Sequence, residues 1–373
     1  MKKTIILSLI IFAAIALFSS CMSHNRLPKV NSVLLSFASI SVPEEGGANF
    51  LEITTDGDDV VSPGYNMTDK KIQTSTPATD GISWYPYSVI AVSPDGQKIG
   101  YINRKNETCN VMIKNATSGG SSIQRTFRTD VRDFSFSPDG SKLCYTEYRD
   151  KTQGIFMMNS DQGTTVQRIS PTNTDDQGPT ITKAGNVIYF SRWEGNKNYS
   201  LWSYDPNKGL FSNYSRGLTP CVDPTNDKII YCARYTYDDA INTVKIRTRI
   251  IRGVKTIYYF NETTPRMEIW KLNTETGTEE VVLSDKGKSY STPQVSPDGQ
   301  WLLFVGGNSA NNKIWNTDLY VMRTDGTHFT QLTFHPGNDL SGVWAPDGKS
   351  IYFVSQRGSK TGAYNVWKMD FNL

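Results

Sequence analysis

An all-β repeat fold is predicted by three observations. The tetrapeptide Ser-Pro-Asp-Gly occurs at 93–96, 137–140 and 296–299, with Ala345-Pro346-Asp347-Gly348 as a near copy. Counting from the proline, an aliphatic residue stands five positions on (Ile99, Leu143, Leu302, Ile351) and an aromatic seven on (Tyr101, Tyr145, Phe304, Phe353). Two worn copies, counted from Lys183 and Pro224, keep both columns as Ile188 with Phe190 and Ile229 with Tyr231. Six units share one frame.

Within a unit, proline presets the second position of a tight turn, aspartate tolerates the third and glycine closes it, so strands flank each copy. The strand after the turn is apolar or small on both faces, because position six (Gly100, Cys144, Tyr189, Ile230, Leu303, Tyr352) lies between the two columns. It is therefore expected to be buried on both sides. A third strand follows at Asn110-Val111-Met112-Ile113, Gly154-Ile155-Phe156-Met157, Ser200-Leu201-Trp202, Glu268-Ile269-Trp270-Lys271, Asp318-Leu319-Tyr320-Val321 and Asn365-Val366-Trp367-Lys368. Short runs such as Val166–Ile169 and Thr330–Thr333 supply a fourth. Four-stranded units of 41 to 49 residues, stacked face to face, describe the blades of a β-propeller. The aromatic column is expected to be core, since each ring buries ~150–250 Å² at about 25 cal/mol per Å².

The chain ends test closure. The last unit stops after its third strand, and Phe50-Leu51-Glu52-Ile53-Thr54 resembles the outer-strand sequence Phe329-Thr330-Gln331-Leu332-Thr333. An N-terminal strand is expected to complete the last blade and close the ring. Ser62-Pro63-Gly64-Tyr65 with Lys71-Ile72 looks like half of a further unit, so six blades are favoured and seven with one truncated is the alternative.

In these motifs the chain, from about residue 48 to 373, resembles the TolB-type propeller repeats, which also occur in the propellers of prolyl-oligopeptidase-like peptidases. The resemblance implies architecture rather than activity, because the same blades serve binding modules and enzymes. The globular domain that precedes the propeller in TolB, and the hydrolase domain that follows it in the peptidases, are expected to be missing.

Lys2-Lys3 precede an apolar run from Thr4 to Phe18, which suits a secretory signal over residues 1–20 and is short for a membrane-spanning helix. Phe18-Ser19-Ser20-Cys21 resembles the lipobox of bacterial lipoproteins, implying lipidation at Cys21 and a tether over 21–47 ahead of the propeller at 48–373. Met22 stands where an inner-membrane retention signal usually places aspartate, so an outer-membrane lipoprotein facing the periplasm is expected. Lys+Arg at 39 against Asp+Glu at 36 leaves a net charge of +3, too small to argue for nucleic acid.

Catalytic motifs are not evident. Three histidines, one of them in the tether, argue against histidine-based metal centres and triads, and there is no Gly-x-Ser-x-Gly elbow. Asp56-Gly57-Asp58-Asp59 is read as a turn rather than a calcium loop, and no cofactor is expected. Cys144 and Cys232 fall within second strands as small apolar residues, and Cys221 is not expected to pair with Cys232.

Elaborations gather on the face where second strands meet third strands. The fourth unit carries about 27 extra residues, read as a hairpin arm at about 236–265, with strands Thr243–Ile251 and Val254–Phe260. Its Lys245, Arg247, Arg249, Arg252 and Lys255, with Trp315 of the long loop Gly306–Trp315, are the candidate partner-binding residues. Arg104, Arg149, Arg192, Arg234 and Arg357 end five second strands, and Asp133, Asp176 and Asp339 lie nearby. Either this circle recognises an anion, or arginines and aspartates of adjacent blades pair with each other, which is the simpler account. The expected function is a non-catalytic binding platform for an envelope protein, anchored through lipid. The alternative is a periplasmic enzyme acting on glycan or peptide in the funnel.

Overall fold

The computed structural model describes residues 47–372 except 59, 61–81, 84–87, 106–107, 128–129, 150–151, 196–197, 252–253 and 311–312. At 47–48, 82–83, 237–251, 254–265, 309–310 and 313–316 the description is of the backbone alone. Two short strands, β1 (Gly47–Glu52) and β2 (Ile82–Ser83), precede the repeats. Blade 1 comprises β3 (Ile90–Val92), β4 (Lys98–Lys105), β5 (Thr108–Asn115) and β6 (Ile123–Gln124). Blade 2 comprises β7 (Val131–Phe136), β8 (Lys142–Arg149), β9 (Thr152–Asn159) and β10 (Gln167–Arg168). Blade 3 comprises β11 (Asp176–Ile181), β12 (Ile188–Gly195), β13 (Asn198–Asp205) and β14 (Leu210–Arg216). In blade 4 these are β15 (Leu218–Asp223), β16 (Asn226–Ile251), β17 (Val254–Asn273) and β18 (Glu279–Leu283). Blade 5 comprises β19 (Lys288–Val295), β20 (Trp301–Ala310), β21 (Lys313–Arg323) and β22 (Thr330–Gln331). Blade 6 is built from β23 (Asp339–Trp344), β24 (Ser350–Ser355), β25 (Asn365–Phe371) and β1.

Every sheet is antiparallel, and the first strands touch in a closed cycle, β3 to β7, β11, β15, β19, β23 and back to β3. The ring is a six-bladed propeller. Its turn chemistry explains the repeat motif. Ser93 Oγ donates to Asp95 Oδ1 at 2.5 Å and accepts from Lys98 N at 2.9 Å, while Gly96, at φ 71°, sends its amide to Ser93 O at 2.8 Å. Ser137 and Ser296 repeat the arrangement with Asp139 and Asp298.

The six column aromatics Tyr101, Tyr145, Phe190, Tyr231, Phe304 and Phe353 are all buried, so each contributes about 5 kcal/mol of burial before entropy is counted. Five of the aliphatic column are buried too; Ile229 of the worn fourth copy is half-buried.

β1 pairs with β25 from Gly47↔Phe371 to Glu52↔Trp367, which supplies the outer strand of blade 6 as expected. Beyond β1 the chain stitches blade 6 to blade 1. Asp56 accepts Asn365 Nδ2 at 2.8 Å and Thr361 Oγ1 at 2.9 Å in blade 6. Asp58 accepts Tyr101 OH at 2.8 Å in blade 1, and Lys114 Nζ donates to Ile53 O at 2.6 Å. The acidic turn is thus occupied with closure.

Two second-to-third-strand hairpins run past the blade body. In blade 4, β16 and β17 stay paired from Thr236↔Arg266 out to Ile251↔Val254, with a register shift between Asp239 and Val244. In blade 5, β20 and β21 continue to Ala310↔Lys313, and β2 adds itself to β21 through Ile82↔Ile314. This fifth strand was not anticipated; Ser62–Tyr65 and Lys71-Ile72, like Cys21, lie outside the described residues.

Candidate functional site

Four of the five arginines of the circle, Arg149, Arg192, Arg234 and Arg357, resolve into structural pairs, and these form within blades rather than between adjacent ones. Asp176 opens β11 directly opposite Arg192 of β12, so one guanidinium grips one carboxylate through two bonds of 2.6 and 3.0 Å. Arg357 reaches Asp339 at 3.0 Å inside blade 6, Arg234 reaches Glu279 at 2.8 Å inside blade 4, and Arg149 reaches Glu147 at 2.7 Å on its own strand. For Arg192 and Arg357, antiparallel register places the start of the first strand beside the second, which is why those partners share a blade. Each guanidinium also lies over a ring: Arg192 is 4.1 Å from Trp202, Arg234 4.3 Å from Trp270, Arg357 4.1 Å from Phe50 and Arg149 4.9 Å from Phe156. Three of those rings come from third strands, so the signal was present as an arginine ending strand two and an aromatic in strand three.

Asp133 behaves differently because it occupies another column. It stands five residues before the turn proline, whereas Asp176 and Asp339 stand seven before the corresponding positions. The column of Asp133 continues as Gly178, Thr219, Thr292 and Ser341; the inner strands of blades 3 to 6 carry a bulge there, and that of blade 2 shifts one residue earlier, between Val131 and Asp133. Gly178, Thr219, Thr292 and Ser341 adopt φ of 65°, 49°, 49° and 51°. Left-handed threonine and serine cost on the order of 1–3 kcal/mol each, held in place by the surrounding ring.

These bulges line the central channel. A cavity of about 120 Å³ is bounded by one residue or more from each blade, among them Ala91, Asp133, Gly178, Thr219, Thr292 and Val343. Asp133 Oδ2 accepts the Gly178 amide at 3.0 Å, joining blades 2 and 3, and Val89 N donates to Ser341 Oγ at 3.3 Å, joining blades 1 and 6. Asp133 Oδ1, Ser135 Oγ, Thr219 Oγ1 and Thr292 Oγ1 are buried and receive no hydrogen bond from the protein. Burial pushes the Asp133 carboxyl up to about 6, against the pull of Thr146, Gly178 and Arg132. The channel can therefore hold small hydrogen-bonding species and exchange one proton near neutrality. Among the described residues no three histidine, cysteine or acidic side chains converge on a metal-sized point.

Two further acids, Asp130 and Glu147, lie where Asp130 bridges to Cys109 of blade 1. Glu147 pairs across the sheet with Val131, the neighbour of Asp130. Burial raises both carboxyls; Arg149 opposes the rise at Glu147 and Arg132 at Asp130. Glu147 Oε2 and Asp130 Oδ1 are buried without a hydrogen-bond partner.

Of the predicted partner-binding residues, Lys245, Arg247, Arg249 and Lys255 fall on the β16/β17 arm and Trp315 on β21. Arg252 lies outside the described residues. Cys109, Cys144, Cys221 and Cys232 are free and buried; Cys221 sits opposite Tyr231 and Cys232 opposite Trp270, which excludes the pairing between them. Burial pushes the Cys221 thiol up to about 12 and that of Cys232 up to about 11.

The family model described as the TolB β-propeller domain matches residues 252–372. In the solved TolB of Acinetobacter baumannii the match covers 74% of this chain and 64% of that one, with a TM-score of 0.53 at 16% identity. The protein is a TolB-like β-propeller. A putative TolB of Agrobacterium tumefaciens gives a TM-score of 0.51 at 15% identity, over 83% of this chain and 97% of that one. In sequence, the TolB-like ring is 30% identical over 126 residues to the Tol-Pal system protein TolB of Helicobacter pylori, and the match spans 33% of this chain but only 28% of the length of that relative. The uncharacterized peptidase YuxL of Bacillus subtilis is 32% identical over 90 residues, 24% of this chain and 13% of that protein. TolB-like blades thus occur both in a Tol-Pal protein and in a peptidase.

Proposed function

We propose that the protein is a non-catalytic cell-envelope lipoprotein, lipidated at Cys21, held at the outer membrane facing the periplasm, and binding a partner protein through its loop-rich face. The observation that carries the reading is the register of the arm. Lys245, Arg247 and Arg249 stand opposite Phe260, Tyr258 and Thr256, so they share one face of a two-stranded ribbon that extends beyond the blade body. The other face takes Val244, Ile246, Thr248 and Ile250 with Asn261, Tyr259, Ile257 and Lys255. A cationic, aromatic face suits an acidic partner, with the charges steering encounter. Arg149, Arg192, Arg234 and Arg357 already hold acids of their own blades, which favours the arm over them as the charged surface offered to a partner.

One experiment tests both halves. Cells carrying Cys21→Ser should release the protein from the membrane fraction into the soluble periplasm. Replacing Lys245, Arg247 and Arg249 together by Ser should reduce the yield of cross-linked envelope partners from the anchored protein, most strongly at low salt. Unchanged yield at every salt concentration removes the arm from the binding site.

The enzymatic reading is favoured by the Asp130–Glu147 pair, whose raised carboxyls suit acid–base work. Product release from isolated peptidoglycan by the wild type, abolished in Glu147→Gln, decides for it.

A further inference from the structure

On the face opposite the arm, the turns of neighbouring blades seat on one another. A Cβ on Gly96 would lie 3.7 Å from Pro346, one on Gly140 3.4 Å from Pro94, and one on Gly348 3.8 Å from Pro297, so each glycine rests on the proline of the preceding blade. Between blades 5 and 4, Thr225 fills this role against Gly299. Between blades 4 and 3, Asp227 accepts the amides of Lys183 at 3.1 Å and Ala184 at 3.4 Å. The turn of blade 3 is the worn copy Lys183-Ala184-Gly185, and a Cβ on Gly185 would meet nothing within 4 Å. Five interfaces are closed on this face and the one between blades 2 and 3 is open.

A groove of about 660 Å³ occupies that opening, within the size range of ligand sites. Half-buried Met157, Ile169, Ile181 and Tyr204 form an apolar floor resting on the core of Cys144, Ile155, Ile188 and Phe190. Lys142 and Lys183 line it and are exposed, and neither pairs with a carboxylate among the described residues. The acid of the groove, Asp139, is committed to its own turn: Ser137 and Ser141 donate to it at 2.5 and 2.7 Å and hold it down at about 2. That carboxylate stays ionised, so the lining sets two cations against one anion and its net charge is positive. Gln167 and Ser141 interrupt the apolar wall, which disfavours an acyl chain, whose methylenes need a continuous apolar sleeve. An extended peptide, with side chains alternating between wall and rim, meets both kinds of lining.

We propose that the groove between blades 2 and 3 is a peptide-docking site for an extended segment of a partner protein in which apolar residues alternate with carboxylates. The apolar side chains rest on Met157, Ile169, Ile181 and Tyr204, and the carboxylates reach Lys142 and Lys183. This site is independent of the arm, on the other face of the ring.

The test is fluorescence anisotropy on the full chain with two labelled hexapeptides, one alternating leucine with glutamate and one alternating leucine with lysine. Saturable binding of the glutamate peptide alone is expected. It should weaken by about tenfold or more in Lys142→Glu/Lys183→Glu, and equally in Ala184→Trp, which fills the groove from an exposed turn position while melting as the wild type does. The arm triple variant should bind the peptide unchanged, which separates this site from the loop-rich face. Equal binding of the lysine peptide, or binding that neither variant weakens, overturns the proposal. So does a fluorescent long-chain fatty acid that binds the wild type in place of the peptide and is lost in Ala184→Trp. A wild-type dimer that Ala184→Trp converts to a monomer would assign the groove to a second copy and also overturn it.

Discussion

Asp133 of blade 2 accepts the backbone amide of Gly178 in blade 3 at 3.0 Å, so a buried carboxylate bridges two blades inside the channel. With its carboxyl at about 6 in the fold, against an ordinary 3.8, the folded state binds the proton more tightly than the unfolded chain does. Stability is then highest below about pH 4 as far as this group is concerned, and declines as pH rises to about 6, by about 3 kcal/mol in all. Asp133→Asn keeps an acceptor for Gly178 but cannot ionise. Urea unfolding at intervals from pH 4 to pH 8 should show the variant lacking this decline and gaining on the wild type toward neutrality. Parallel pH profiles for the two proteins would show that burial does not govern Asp133.

The Arg192–Asp176 pair is expected to act on stability rather than on binding. Both side chains are largely shielded, at 12% and 0% exposure, so removing one strands the other's charge. Asp176→Ala should cost about 3–5 kcal/mol, and joining it with Arg192→Met should recover much of that loss. A double-mutant cycle by chemical denaturation measures the coupling. Wild-type stability in Asp176→Ala, together with altered partner capture, would return the arginine column to the binding site.

Closure gives the third prediction. Lys114→Met removes the bond to Ile53 O and leaves that carbonyl unpaired, costing about 1–3 kcal/mol. Deleting Asn49–Thr55 removes most of the β1 pairing and the Ile53 contact with blade 1, leaving most of β25 as an open edge. Calorimetry should show a modest drop in melting temperature for the first variant and a larger one for the second, and light scattering should show aggregation for the second alone. Identical melting of the deletion and the wild type would mean that the ring holds without its N-terminal strand.

The blades were legible because their signals are local: Pro-Asp-Gly turns, and the aliphatic and aromatic columns at fixed distances from them. The missing outer strand made the β1–β25 pairing legible too. Partner choice was not, because register decides it. Asp133 and Asp176 look alike in a list of acids, yet the two-residue offset sends one to the channel and the other to Arg192. The bulge column carries threonine and serine at positive φ rather than a run of glycines, so nothing in composition marks it. The arm's strands could be read from alternation, but the grouping of its cations opposite Phe260 and Tyr258 emerged only from the pairing register. The open groove was hidden in a substitution that looked like mere decay, Lys183 in the proline position of its turn.

The bond from Asn49 to Asp370 spans 321 positions of sequence, and that separation orders events in time. β1 is the first strand of the ring to be made, and its partner β25 is the last. From the moment it emerges until β25 is made, β1 lacks the strand it pairs with in the finished ring. The ring cannot shut before synthesis of the propeller is finished. A chain threaded vectorially through a narrow passage would reach its final shape only after the trailing end had come through, and until then it would remain a substrate for chaperones and proteases.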